Sequence, residues 1–463
     1  MISKFKKLLP LALTFFTSFV FSSCNGGLNG DKSGVTTIKF FGWGKVQEQR
    51  NFQTMVNAFM RDNEDVKVVY ECVDSANYDI ALQSRKRSMP DVFYMSDFSF
   101  LKWAKSGSLL DMSKYITPED TEDVWPLIYS MYRYDSSTKR VGEGSAIYGL
   151  GKDLGPYTLV YNKTLINKIF TEKGIEPHYP STTTPMTWQQ FIDYLTELKY
   201  TNPINNQKVW GIGSYEIMHA VYSNNADFFT PDARTSRIGE KNFGDAIQFV
   251  SDLTRNGVAP TYVEMKASGA YAKFLNEQCL MTFMGPWDMA AFWEDTKFEF
   301  DIMPTPVGTA EGAVSTSWMG SCAISCRKFT AKEAKKEEAA VRLAKYLCLG
   351  KTCAELNYKI GQAQPNVMSL ARNEWINNVG ITNEKEQQPA SKQVWLDTTQ
   401  ETELIKHHIR AKYYLYDGSC FDNLIKELNS SVIYDGKDNA LQFCQNYEPT
   451  FQKGLDDNAA YFN

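Results

Sequence analysis

The chain has 463 residues, 43% of them hydrophobic and 22% charged, the balance of a globular protein large enough for two or three domains with separate cores. Its formal charge of −5 is the wrong sign for a generally basic surface that gathers nucleic acid or an anionic bilayer. Ten Trp, 25 Tyr and 28 Phe exceed what core filling needs, and leave rings available for a binding cleft.

The N-terminus has the build of a secretory signal. Met1 to Lys7 is cationic, Leu8 to Phe21 is apolar, and Ser22-Ser23-Cys24 closes the run with small residues. The apolar stretch falls short of the roughly 20 residues that a membrane-spanning helix needs. Residues 1–23 therefore read as a removable signal peptide, and without Lys4, Lys6 and Lys7 the charge falls from −5 to −8. "VFSSC" resembles a bacterial lipobox, although Phe21 stands where Leu is usual, and it implies acylation of Cys24. The alternative is cleavage by the general signal peptidase with Cys24 incidental. Residues 24–34, rich in Gly, Asn and Ser, read as a flexible tether on that anchor.

The body alternates strands and helices. "TTIKFFGW" (Thr36 to Trp43) predicts a strand, and Gln47 to Met60 a helix with Phe52, Met55, Val56 and Phe59 on one face. "VKVVYECV" and "MPDVFYMSD" predict two more strands, and a short helix should stop near Gly107. This β-α-β-α order predicts parallel neighbours with helices on the sheet faces and a ligand beyond the strands' carboxyl ends. Further on, Thr187 and Gln190 have capping-box spacing before Trp188, Phe191, Leu195 and Leu198. Lys241 to Arg255 predicts a helix stopped by Gly257, and "AKEAKKEEAAVRLAKYLCLGK" another, stopped by Gly350.

Eight cysteines follow Cys24. Export would permit disulfides, but spacing cannot pair eight cysteines. Four His, none at ligand spacing from a Cys pair, argue against a metal site, and "SCAISC" (Cys322 and Cys326) alternates like a strand. No P-loop or other cofactor motif appears.

In order, "IKFFGWGK", "MPDVFYMSDFSFLKWAKSGSLLDMSKYI", "YGLGKDLGPYTLVYNKTLI", "PMTWQQFIDYLTELK", "WGIGSYE", "FGDAIQFVSDLTRNGVAP", "CLMTFMGPWDM", "FEFDIMPTPVG" and "SWMGSCAIS" resemble the carbohydrate-type extracellular solute-binding proteins. These are the maltose-binding-protein-like receptors of ABC importers. The resemblance runs from Ile38 to about Gly361, and the last hundred residues share only "GQAQPNV". It implies an α/β fold of two lobes with a periplasmic-binding-protein architecture, hinge crossings and a ligand cleft between lobes. The implied lobes are 35–152 with 307–350 and 153–306 with 351–463, the crossings falling near Gly151 to Gly155 and Met303 to Val307.

The implied function is capture of a mono- or oligosaccharide outside the cytoplasm and delivery to a permease. The chain would be monomeric and in contact with the membrane only through its lipid anchor. A pyranose offers hydroxyls and flat C–H patches, so its site should combine aromatic rings with a few polar groups. Trp287 matches the family's GPW tryptophan, and Trp318 and Trp43 occupy positions where relatives place cleft residues; each could instead be core. Asp97 could accept two sugar hydroxyls or cap the next helix. Tyr157, Glu216, Asn224, Lys45 and Gln364 come from cleft-bordering segments. Two alternatives share these features: a receptor feeding a sensor kinase, and an exported glycoside hydrolase, for which the sequence nominates no carboxylate pair.

Overall fold

A computed structural model of the protein describes residues 34–320, 322–409 and 415–461. The expected signal peptide, Cys24 and all of the tether except Gly34 lie outside the described residues. Contacts separate Met1–Val35 from a second unit, Thr36–Asn463, and every strand and helix among the described residues belongs to that second unit. No helix among the described residues is long and apolar enough to cross a membrane.

The opening β-α-β-α pattern builds one five-stranded sheet. Its strands lie in the order Val66–Val73, Thr36–Trp43, Val92–Met95, Ala323–Cys326 and Leu150–Gly151. The first three run parallel, and Ala323–Cys326 is antiparallel to both of its neighbours. Helix Val46–Asp62 packs Phe52, Met55, Val56 and Phe59 against this sheet, the stripe that a 3.6-residue period dictates. Ser96 caps helix Asp97–Lys105 by accepting from the Ser99 N–H, and Gly107 turns away at φ +69°. The "AISC" segment is a strand of this sheet, and Cys322 and Cys326 are buried thiols.

A second five-stranded sheet takes the order Phe300–Met303, Thr158–Asn162, Cys279–Met284, Gln207–Ile212 and Tyr200–Asn202. Both of its faces are covered, and alternate side chains enter different cores. Leu159 and Tyr161 join one cluster while Val160 joins another, and Phe283 and Met284 divide the same way. The capping box closes as its spacing requires: Gln190 N–H donates to Thr187 Oγ1 (3.2 Å), and Thr187 N–H to Gln190 Oε1 (2.8 Å). It starts helix Trp188–Glu197. Helix Lys241–Arg255 ends before Gly257, at φ +66°.

The chain leaves the first sheet after Gly151 and enters the second at Thr158. It returns later than "PTPVG". Val307 N–H bonds to Met186, and Gly308 N–H to Ser223, so this stretch stays with the second sheet's helices. Trp318 still belongs to the second core and Met319 to the first. Past Gly350 a further helix, Lys351–Lys359, brings Cys353 and Ala354 into the first core, as Leu370 and Ala371 do later. Trp375 and Trp395 then fill the third cluster, and Phe421 to Leu455 complete the second. The divergent C-terminal hundred residues therefore build core in both halves.

Candidate functional site

Strand ends and helix starts meet at one edge of the first sheet, where a cleft of about 330 Å³ opens. One wall is polar. Trp43 ends the first strand, Lys45, Glu48 and Asn51 follow it into the first helix, Ser96 and Asp97 follow the third strand, and Lys152 and Asp153 lie in the first passage. Gln362 closes this wall from the far end of the chain. The opposite wall is aromatic, formed by Trp287 and Trp318 with Asp288 beside them.

The indoles are positioned by packing. Trp287 lies parallel to Tyr157 (centroids 5.8 Å, planes 7° apart), and Tyr157 stacks on Trp318 at 4.6 Å. A methyl group at Gly155 or Gly285 would overlap the Trp287 ring, and one at Gly320 the Trp318 ring; only glycine leaves the backbone this close. Behind them His219 is fully buried, its Nε2 2.6 Å from the Tyr157 carbonyl oxygen, and burial pushes it down to about 3. It is a neutral spacer. Across the cleft, Trp43 meets Tyr78 and Tyr94 edge-on at 4.6 and 5.0 Å.

The polar wall is a linked set of charges. Lys152 Nζ lies 2.5 Å from Asp153 Oδ2 and 3.3 Å from Glu48 Oε1. Gln362 Nε2 donates to Glu48 (3.3 Å), and Asn51 Nδ2 donates to Gln362 Oε1 (3.1 Å). Burial alone would lower the Lys152 pKa, but Asp153 and Glu48 outweigh it and hold the ammonium above its ordinary value. Burial raises Glu48 despite Lys152. On the aromatic wall, burial pushes Asp288 up to about 6, with Lys45 and the Gly285 N–H opposing the shift. Lys45 bridges the walls, its ammonium 4.0 Å from Asp288 Oδ1 and 4.1 Å from the Tyr271 ring centroid.

A family model for bacterial extracellular solute-binding proteins matches residues 43–347, a stretch that contains both walls except Gln362. The chain belongs to the bacterial extracellular solute-binding protein family. In fold, this solute-binding protein is similar to an ABC substrate-binding protein from Listeria monocytogenes solved with cycloalternan. The two share 19% identity and a TM-score of 0.71 over 91% of this chain and 99% of that one. A cyclic alpha-maltosyl-1,6-maltose binding protein from Arthrobacter globiformis gives 17%, 0.67, 91% and 100%. The maltose/maltodextrin-binding domain MalE from Bdellovibrio bacteriovorus, bound to maltotriose, gives 17%, 0.63, 90% and 100%. At these identities the likeness fixes the two-lobed α/β fold. Among curated protein sequences none matches.

Of the residues nominated from sequence, the structure brings Trp43, Lys45, Asp97, Trp287 and Trp318 to the cleft. Tyr157 stands behind the two indoles as their support. Three others do not line the cleft. Asn224 is fully buried, its Oδ1 accepting from the Thr309 and Ala310 N–H groups and its Nδ2 donating to the Asn242 carbonyl. Gln364 is buried against Thr399 Oγ1 at 3.0 Å, and Glu216 precedes helix Ile217–Ser223. Glu48, Asn51, Lys152, Asp153, Asp288 and Gln362 escaped sequence reasoning. "GKDLG" and "GPWDM" carried a signal for three of them, a charged pair between glycines and an acid beside the GPW tryptophan.

Proposed function

We propose that this solute-binding protein captures a carbohydrate between its lobes and hands it to the permease of an ABC importer. The observation that carries the reading is a single cleft with indole faces on one side and hydrogen-bonding groups on the other, the two chemistries a pyranose presents. The relatives solved with cycloalternan and maltotriose support carbohydrate as the solute class. The cleft volume of about 330 Å³ falls at the lower end of the roughly 300–1,000 Å³ of small-molecule sites. A monosaccharide, or one end of an oligosaccharide, fits that space.

Acylation at Cys24 would hold the protein on the outer side of a bacterial membrane, with residues 25–34 as its tether. The packing supports a first lobe mainly of 36–151 with 322–371 and a second mainly of 158–318 with 375–461, although Tyr358 packs in the third cluster and Leu396 in the first. Ligand contacts from both lobes would favour a closed over an open form.

A thermal-shift screen against neutral mono- and oligosaccharides tests the reading. A sugar at a hundred times its Kd should add about 2.7 kcal/mol to stability. No shift with any carbohydrate would overturn the assignment. Carboxylates stand on both walls, so each hit is also checked for released products, whose appearance would replace a receptor by a hydrolase.

A further inference from the structure

One groove runs against the chain's net negative charge. It encloses about 530 Å³ and is lined by Lys39, Lys86, Arg87, Lys328 and Lys336, all exposed. None of these five forms an ion pair among the described residues. The two carboxylates in the groove are bound instead by Arg327, whose Nη2 lies 2.8 Å from Asp91 Oδ1 and 2.6 Å from Glu333 Oε1. Lys39 faces Glu71 electrostatically, which leaves Lys86, Arg87, Lys328 and Lys336 as the cations without an ion pair among the described residues. An adjoining groove shares Lys86 and adds Lys102, its ammonium 5.6 Å from the Tyr416 ring centroid.

The groove's position in the fold is informative. Trp43, Asp97 and Cys322 line the cleft, whereas Lys39 lies four residues back along the first of these strands, and Asp91 and Arg327 flank the far ends of Val92–Met95 and Ala323–Cys326. At about 3.3 Å per residue, the basic edge and the cleft edge are roughly 15 Å apart. Phe40 pairs with Val92 in parallel register, so Thr36 enters the sheet at the basic edge. Fully extended, residues 24–35 span at most about 40 Å.

We propose that this groove docks on the anionic phospholipid surface of the membrane carrying the Cys24 lipid. The placement rests on the reading of Cys24 as a lipid anchor; the chemistry rests on the groove. Clusters of four to eight Lys and Arg beside an anchor attract anionic headgroups, and a tether keeps them near a surface whose field extends only about 8 Å in physiological salt. The net charge of the whole chain does not oppose this contact, because screening makes it a local matter.

The test uses a tether-free chain, residues 34–463, whose cores all lie between Ile38 and Leu455. It is cosedimented with phosphatidylcholine vesicles and with vesicles containing about one-third phosphatidylglycerol. The expected result is at least a tenfold preference for the anionic vesicles, abolished at high salt. It should fall at least tenfold in the Lys86→Ala/Arg87→Ala/Lys328→Ala variant, with melting temperature unchanged. Equal binding to both vesicle types, no binding, or full binding by the triple variant would overturn the proposal. Saturable uptake of inorganic phosphate without vesicle binding would also overturn it. Because no lipid anchor is present, these outcomes leave the anchor reading untouched. That reading fails separately if full-length Cys24→Ser is still processed and membrane-bound.

Discussion

The two walls of the cleft are built on opposite plans. The aromatic wall is made of few residues and fixed by shape, with the indoles of Trp287 and Trp318 seated on Tyr157 beside glycines that leave no room for a methyl group. The polar wall gathers residues from Lys45 to Gln362 and is fixed by charge, through Lys152 held between Glu48 and Asp153. A flat packing surface is held by ring contacts and close backbone alone, whereas a network that satisfies several buried charges needs donors and acceptors matched at hydrogen-bond distance.

This contrast can be broken most strongly at Lys152. Lys152→Ala takes the shared cation from two carboxylates in a buried network, and stability measured by urea unfolding should fall by about 3–5 kcal/mol. A loss below about 1 kcal/mol would mean that water already screens the site. The next effect belongs to Asp288. Its folded pKa of about 6 lies above the usual carboxylate value, so the native state holds the extra proton between about pH 4 and 6. Stability therefore declines as pH rises through about 6. Asp288→Asn should remove that decline, raising apo stability at pH 7 by up to about 3 kcal/mol and leaving it near wild type at pH 4. A constant difference between the two proteins from pH 4 to 7 would contradict the assignment.

Trp287 sharpens the comparison from the aromatic side. Trp287→Ala should weaken sugar binding by about 1.5–3 kcal/mol, one to two decades in Kd by calorimetry. Because the ring is only half-buried, the apo protein should lose less than the 3–5 kcal/mol of a core tryptophan. A large melting loss with unchanged affinity would make the ring structural. The smallest effect is expected at Lys45, whose side chain is 65% exposed. Lys45→Ala should change apo stability by no more than about 1 kcal/mol.

The same contrast explains what could be read from the sequence. Strands, helices and caps followed from local pattern, because the strand Thr36–Trp43 and the Thr187–Gln190 capping box depend on neighbours a few residues away. Trp287 and Trp318 were nominated through the resemblance, in whose "GPW" and "SWMG" segments they stand. Glu48 looked like any polar position near a helix start, and only the fold brings it to Lys152 and Gln362, 104 and 314 residues away. Asn224 misled for the converse reason: a polar side chain bordering the cleft segments in sequence turned inward to hold backbone N–H groups. The return passage was placed too early because Pro and Gly in "PTPVG" resemble a hinge, while hydrogen bonds to Met186 and Ser223 keep that stretch on the second sheet.

The central claim is that one sugar is held by both walls at once. It is tested most directly by small-angle scattering with and without a saturating sugar identified in the thermal screen. The account predicts that the radius of gyration shrinks on binding, because contacts to both lobes favour the closed form, and that Trp287→Ala needs ten to a hundred times more sugar to reach the same value. An unchanged radius in the wild-type protein at full occupancy would contradict it.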